Sequence, residues 1–290
     1  MRTAVIVAGV CRYSDIPSKT WDIFPFDADL YISTWDTTND TYSNKLTNSC
    51  DEIEIIKRNT KNNKNTRLIS INVSDYEDSI LAGKIKWSLA RPIFLLNEIY
   101  EKIKASKYSR IIYFRPDLYL TTVQDVELTA DDFAVDDSSV KIVGMHESAY
   151  WVNHEAGCME DHFFCMSRQV FEKFIRIFDV IDTREPDIHK IFYNFFKNNN
   201  LTLEVISKMR CVIVRKEIEE YYINTNEQPD LSLMMEIYFK AFSEKFDMVH
   251  EIKRNAIDLE FLDIDKRIID TKLIDDSKNN GGILNKRDKQ

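Results

Sequence analysis

Short apolar runs, each cut off by a polar or Gly/Pro cluster, set the rhythm of the first half of this chain. Thr3 to Ala8 is one; it stops at Gly9-Val10-Cys11-Arg12, and its length suits a buried strand. Ala28 to Ser33 is a second, closing on Thr34-Trp35-Asp36 before a polar stretch that reaches about Asn48. Between them, Pro17 to Phe24 predicts a short helix. Glu52 to Ile56 predicts a third strand, Lys57 to Thr66 a basic loop, and Leu68 to Val73 a further strand. Leu89 to Ala105 then changes period: Ile93, Leu96, Ile99, Tyr100 and Ile103 recur at helical spacing, with charges opposite. This amphipathic helix feeds straight into Ile111-Ile112-Tyr113-Phe114, a short buried strand.

That strand ends at Arg115-Pro116-Asp117. Pro116 has no N–H for a central ladder and biases Arg115 toward extended backbone, so two charged residues are presented at the strand's carboxyl end. After an acidic loop with Asp131, Asp132, Asp136 and Asp137, Val140 to Met145 predicts a strand. Arg168 to Asp179 and Asp187 to Lys197 predict helices, Val212 to Val214 a late strand, and Leu231 to Phe242 a last core helix. Strand alternating with helix over the opening third predicts an α/β fold. Its central sheet is mainly parallel with helices on both faces, an α/β/α sandwich. No internal repeat or linker divides residues 1–255, which read as a single domain; 256–290 is a charged segment, with Ser277 to Gln290 a flexible tail.

Composition changes this picture little. The 290 residues can bury a large core, and 44% hydrophobic with 30% charged residues is ordinary for a globular protein. A net charge of −9 without a dense Lys/Arg face argues against nucleic acid as a partner. No apolar run approaches the roughly 20 residues of a transmembrane segment. The 5 cysteines, Cys11, Cys50, Cys158, Cys165 and Cys211, are odd in number and scattered, which predicts reduced thiols and a cytoplasmic setting.

Four clusters could carry chemistry. Asp117 could hold a divalent metal or a sugar hydroxyl while Arg115 pairs with a phosphate; alternatively Asp117 caps a turn and Arg115 is solvated. Glu160-Asp161-His162 offers carboxylates and an imidazole for general-base work, or a solvated loop. His154, Cys158, His162 and Cys165 are sensible zinc ligands by type, but their spacing matches no CxxC pattern. The loop Gly9 to Arg12 would overlie the ligand crevice of a doubly wound sheet, with Arg12 near a diphosphate, although it lacks G-x-G-x-x-G and the Walker pattern.

In order along the chain, Val5-Ile6-Val7-Ala8-Gly9-Val10-Cys11-Arg12, Tyr31-Ile32-Ser33-Thr34-Trp35-Asp36, Arg115-Pro116-Asp117-Leu118 and Asp161-His162-Phe163-Phe164-Cys165-Met166-Ser167 form a set. This set resembles a family of GT-A-type glycosyltransferases of bacteria, phages and large DNA viruses, over about residues 1–180. The resemblance implies a GT-A-like domain with a nucleotide-sugar half at about 1–125 and an acceptor half at about 126–255. It implies transfer of a sugar from a nucleotide-sugar donor to a glycan or glycoconjugate hydroxyl with inversion, in the host cytoplasm if the chain is viral. The donor would meet Gly9, Arg12, Trp35, Asp36, Arg115 and Asp117. Asp117 would take the Asp-x-Asp role toward Mn²⁺ or Mg²⁺, and Asp161 would be the catalytic base. No full Asp-x-Asp triplet stands at 115–117. Ser18-Lys19-Thr20-Trp21 is weakly similar to the phosphosulfate loop of sulfotransferases, which makes a sulfotransferase one alternative. A catalytically silent glycan-binding protein is another.

Overall fold

A computed structural model of the chain describes residues 2–39, 46–76, 91–104, 108–123, 126–144, 152–153, 158–159, 162–177, 188–227, 229–238 and 240. The strands are β1 (Thr3–Ala8), β2 (Ala28–Trp35), β3 (Thr37–Asn39), β4 (Leu46–Asn48), β5 (Thr66–Ser74), β6 (Arg110–Phe114) and β7 (Leu118–Thr122), followed by β8 (Ser139–Ile142). Then come β9 (Val152–Asn153), β10 (Cys158–Met159), β11 (Phe163–Ser167), β12 (Thr202–Val205) and β13 (Met209–Ile213). Helices are α1 (Cys50–Thr60), α2 (Arg91–Ile103), α3 (Arg168–Phe174), α4 (Ile188–Asn198) and α5 (Lys216–Thr225). Chain contacts divide the molecule into two compact units, Met1–Glu219 and Glu220–Gln290, whereas the sequence pattern placed the change near residue 255.

Seven strands form the central sheet in the order β12-β8-β11-β6-β1-β2-β5. β5, β2, β1 and β6 are mutually parallel, and β8 pairs in parallel with β12. β11 runs against both neighbours, β6 and β8. This mostly parallel sheet with helices is the α/β architecture expected from the alternating pattern. Because β11 is reversed, its first residue, Phe163, lies opposite the last residue of β6, Phe114.

The four central strands are dry on both faces. Every residue of β1, β2, β6 and β11 is buried, which explains why these strands read as unbroken apolar runs. Ala4, Ile6, Tyr113, Phe164 and Met166 join one core with α2 residues Leu96 and Ile99 and α4 residues Phe192 and Phe196. Phe174 of α3 packs at the centre of that aromatic group, 5.0 Å from Phe192 and 5.6 Å from Phe164. With side chains alternating along each strand, Phe114 lies on the other face, against Trp21 at 5.9 Å and Phe24 at 6.3 Å.

Among the elements that differ from the sequence pattern, two stand out. Glu52 to Ile56, expected as a strand, belongs to helix α1. The Glu-Ile-Glu-Ile alternation mimics a strand over four residues, but Ile53, Ile56 and Thr60 are buried at helical spacing. Asp51 and Glu52 in the first turn, and Lys57 and Arg58 in the last, complement the helix dipole. The second difference is β7, which follows Asp117 directly and pairs antiparallel with β13, Leu118 opposite Ile213. The expected strand at 140–145 ends at Ile142, and Met145 lies outside the described residues.

Candidate functional site

In open α/β sheets, ligands bind outside the carboxyl ends of the strands, where the strand order reverses. Here the chain runs outward from β1 through β2 to β5, and β6 is added on the other side of β1. The reversal point is therefore between β1 and β6. The loops leaving those two strands are Gly9 to Arg12 and Arg115 to Asp117, two of the four clusters that the sequence singles out.

Local chemistry fixes both loops. Gly9 takes a φ of +146°, and a Cβ there would come within 2.9 Å of Pro116 Cδ, so only glycine lets the first loop lie on the second. The Gly9 N–H donates to the Ser33 carbonyl at 3.1 Å, and the Cys11 N–H to Thr34 Oγ1 at 3.2 Å, which pins the loop to the end of β2. Tyr13, just past Arg12, adopts a φ of 55°, uncommon for a bulky residue. Arg115 to Leu118 form a turn with Pro116 at its second position, closed by the Leu118 N–H on the Arg115 carbonyl at 3.2 Å. The Arg115 N–H itself donates to the His162 carbonyl at 3.2 Å, which ties the turn to the start of β11.

At the centre lies Asp117, only 2% exposed. Arg115 closes a fork on it, Nε to Oδ1 at 3.0 Å and Nη2 to Oδ2 at 2.8 Å. Arg12 Nη2 donates to Oδ2 at 3.1 Å from the other loop. Burial alone would raise the Asp117 pKa. The charges of Arg115 and Arg12, with Arg215, outweigh it and hold the carboxyl well below the usual range. Burial lowers the Arg12 pKa, Asp117 opposes that, and Arg215 and Arg115 add to it. Arg12 Nε is buried with no hydrogen-bond partner among the described residues.

Arg215 is the residue that sequence reasoning missed. The Val214 N–H donates to the Asp117 carbonyl at 2.7 Å, so β13 delivers Arg215 directly beside the turn. A signal was present: Arg215 follows the apolar run Val212-Ile213-Val214 just as Arg115 follows Ile111 to Phe114. Among the described residues Arg215 makes no ion pair, and it is half-buried.

The structure separates the other candidates. Gly9, Arg12, Arg115 and Asp117 meet. Trp35 and Asp36 do not join them and serve as anchors instead. Trp35 is 1% exposed and stacks on Phe94 at 5.4 Å, with Tyr76 edge-on at 5.6 Å, so its ring has no free face for a nucleotide base. Its carbonyl accepts from Ser49 Oγ at 2.8 Å, and Asp36 Oδ1 accepts from the Tyr76 N–H at 3.1 Å. Asp161, with Glu160 and His154, lies outside the described residues. Cys165 is buried within β11, its thiol against the Phe133 carbonyl at 3.7 Å and pushed up by burial to about 12. Ser18 and Lys19 are engaged structurally, Ser18 Oγ with the Ser14 carbonyl at 2.5 Å and Lys19 with Asp15 at 2.8 Å.

Asp117 does not fit the metal role. Three of the roughly four lone-pair directions of its carboxylate already accept guanidinium N–H groups, and the surrounding charge is positive. Among the described residues no group of three His, Cys, Asp or Glu side chains could hold a metal ion. What the arrangement can do is present guanidinium forks to an oxyanion. A cavity of about 380 Å³ lies at the other end of the strands, by the amino ends of β1, β2 and β5, beside Arg2, Asp29 and Arg67. Asp29 is there saturated by Arg2 and Arg67, both at 2.8 Å, and by the Tyr108 hydroxyl at 2.7 Å. No helix among the described residues is long and apolar enough to cross a membrane. Comparison of the chain with models of known protein families and with characterised proteins gives no match.

Proposed function

We propose that the chain is a nucleotide-sugar-dependent glycosyltransferase with a GT-A-like arrangement, its donor diphosphate lying against Arg12 and Arg115. The observation that supports this reading best is the meeting of the two loops after β1 and β6 at the reversal point of the sheet, around an arginine-ringed carboxylate. In the transfer, the acceptor hydroxyl oxygen bonds to the anomeric carbon as the carbon–oxygen bond to the diphosphate breaks. The electron pair of that bond goes to the departing diphosphate, whose growing charge the arginines stabilise. The hydroxyl proton goes to a base, for which the sequence offers Asp161. His162, its neighbour in sequence, touches the site through its carbonyl, which accepts from the Arg115 N–H.

A thermal-shift panel on the full chain tests the reading. Stabilisation by at least one nucleoside diphosphate, together with slow hydrolysis of the matching nucleotide sugar, is expected; a ligand at a hundred times its Kd adds about 2.7 kcal/mol. Stabilisation only by adenosine 3′,5′-bisphosphate would turn the assignment to a sulfotransferase. Glycan binding without any nucleotide response would turn it to a non-catalytic lectin-like role.

A further inference from the structure

We infer that the donor's diphosphate is held by guanidinium groups alone, those of Arg12, Arg115 and Arg215, and that Asp117 is the positioning residue which ties them together rather than a metal ligand. The inference rests on the glycosyltransferase reading for the nature of the ligand, and on geometry for the manner of holding it. Both Asp117 oxygens are already engaged, Oδ1 by Arg115 and Oδ2 by Arg115 and Arg12. A divalent cation there would have to displace a fork of two bonds and then sit beside guanidinium groups of its own sign. An oxyanion meets the opposite situation. Arg12 spends only Nη2 on Asp117, and its buried Nε has no acceptor among the described residues. Arg215 makes no ion pair among the described residues, although β13 sets it beside the turn through the 2.7 Å bond from Val214 to Asp117. A diphosphate carries two to three negative charges spread over several oxygens, which suits forks from separate loops better than one point charge.

The geometry also divides the labour. Asp117 sits on the turn between β6 and β7, while Arg12 follows β1 and Arg215 follows β13. The buried Asp117 carboxylate thus sets the spacing of Arg12 and Arg115, and its main-chain carbonyl, accepting from Val214, places Arg215 beside them before a ligand arrives, which limits the ordering cost of binding.

Inorganic pyrophosphate is the probe, titrated calorimetrically into the full chain in EDTA and again with Mn²⁺. Binding in EDTA within about twofold of that in Mn²⁺ is expected. Arg215→Gln and Arg12→Lys, the latter keeping the charge but losing the fork, should each weaken binding about tenfold or more with an unchanged circular-dichroism spectrum. Asp117→Asn should raise the Kd by the same factor in EDTA and in Mn²⁺, whereas removal of a metal ligand would be felt in Mn²⁺ alone. Binding that requires Mn²⁺, or indifference to Arg215→Gln, overturns the inference, as does failure of pyrophosphate to bind at all. If nucleoside diphosphates bind only with Mn²⁺, the glycosyltransferase reading survives and the arginine clamp falls. If pyrophosphate binds in EDTA but no nucleoside diphosphate does, the clamp survives and that reading falls.

Discussion

Gly9 shows how much one missing Cβ can decide. Gly9→Ala combines a backbone at +146° with a methyl 2.9 Å from Pro116, so the two loops must part. A loss of about 1–3 kcal/mol in urea unfolding is expected, with weaker pyrophosphate binding; an unchanged midpoint would show that the loops do not rest on each other. Asp117 makes a second prediction at this scale. Its folded pKa lies below the ordinary 3.8, so the stability from its ion pairs is fully present above that value and is lost as pH falls through the lower folded value. Asp117→Asn should therefore cost up to about 3 kcal/mol at neutral pH, tempered because Arg12 and Arg115 keep 15% and 22% exposure. The gap between the two proteins should narrow below pH 3.8, and a constant gap down to strong acid would rule the pairing out. Arg12, Arg115 and Asp117 were legible because each follows an apolar run. Their mutual pairing was not, since a span of 105 residues separates Arg12 from Asp117. Trp35 misled for a related reason: an aromatic at a strand end reads the same whether it faces a ligand or, as here, Phe94.

Among elements, β1, β2 and β6 announced themselves as apolar runs, whereas β7 and β12 did not. β1 and β6 are dry on both sides, so apolar runs mark them at once. β7 has the burial pattern of an edge ribbon, with Leu118 and Leu120 buried and Tyr119 half-buried, and its partner β13 lies far along the chain. α1 was hidden because four residues cannot distinguish a period of two from one of 3.6. The start of β5 depends on an acid outside it. Asp22 Oδ1 accepts from the backbone N–H groups of Asn65 and Thr66 at 2.8 and 2.7 Å, and Oδ2 from that of Lys64 at 2.6 Å. Asp22→Ala should destabilise the protein by about 1–3 kcal/mol, the usual cost of stranded donors. Hydrogen exchange should quicken first at residues 64–66; uniform protection there would mean that water replaces the carboxylate without loss.

For the molecule as a whole, the pattern of alternating strands and helices foretold the layered α/β plan, while the order of strands lay beyond it. Order is decided by which faces fit, and β6 settles beside β1 although β2 and β5 come between them in sequence. The reversed strand β11 then occupies the place between β6 and β8. That long-range pairing has a consequence in time. During synthesis the amino-terminal strands emerge first, yet β1 has only β2 to pair with, and β2 in turn β5, until residues 110–114 appear. Arg12 meets Asp117 only after that, and Arg215 only after β13 has closed on β7. Non-local pairings of this kind form slowly. A nascent chain therefore carries its sheet edge, and the positive charge of Arg12, without the carboxylate that balances it. On the proposed reading, ligand binding waits for β13 at residues 209–213, and the arginine cluster is among the last parts of the first unit to come together.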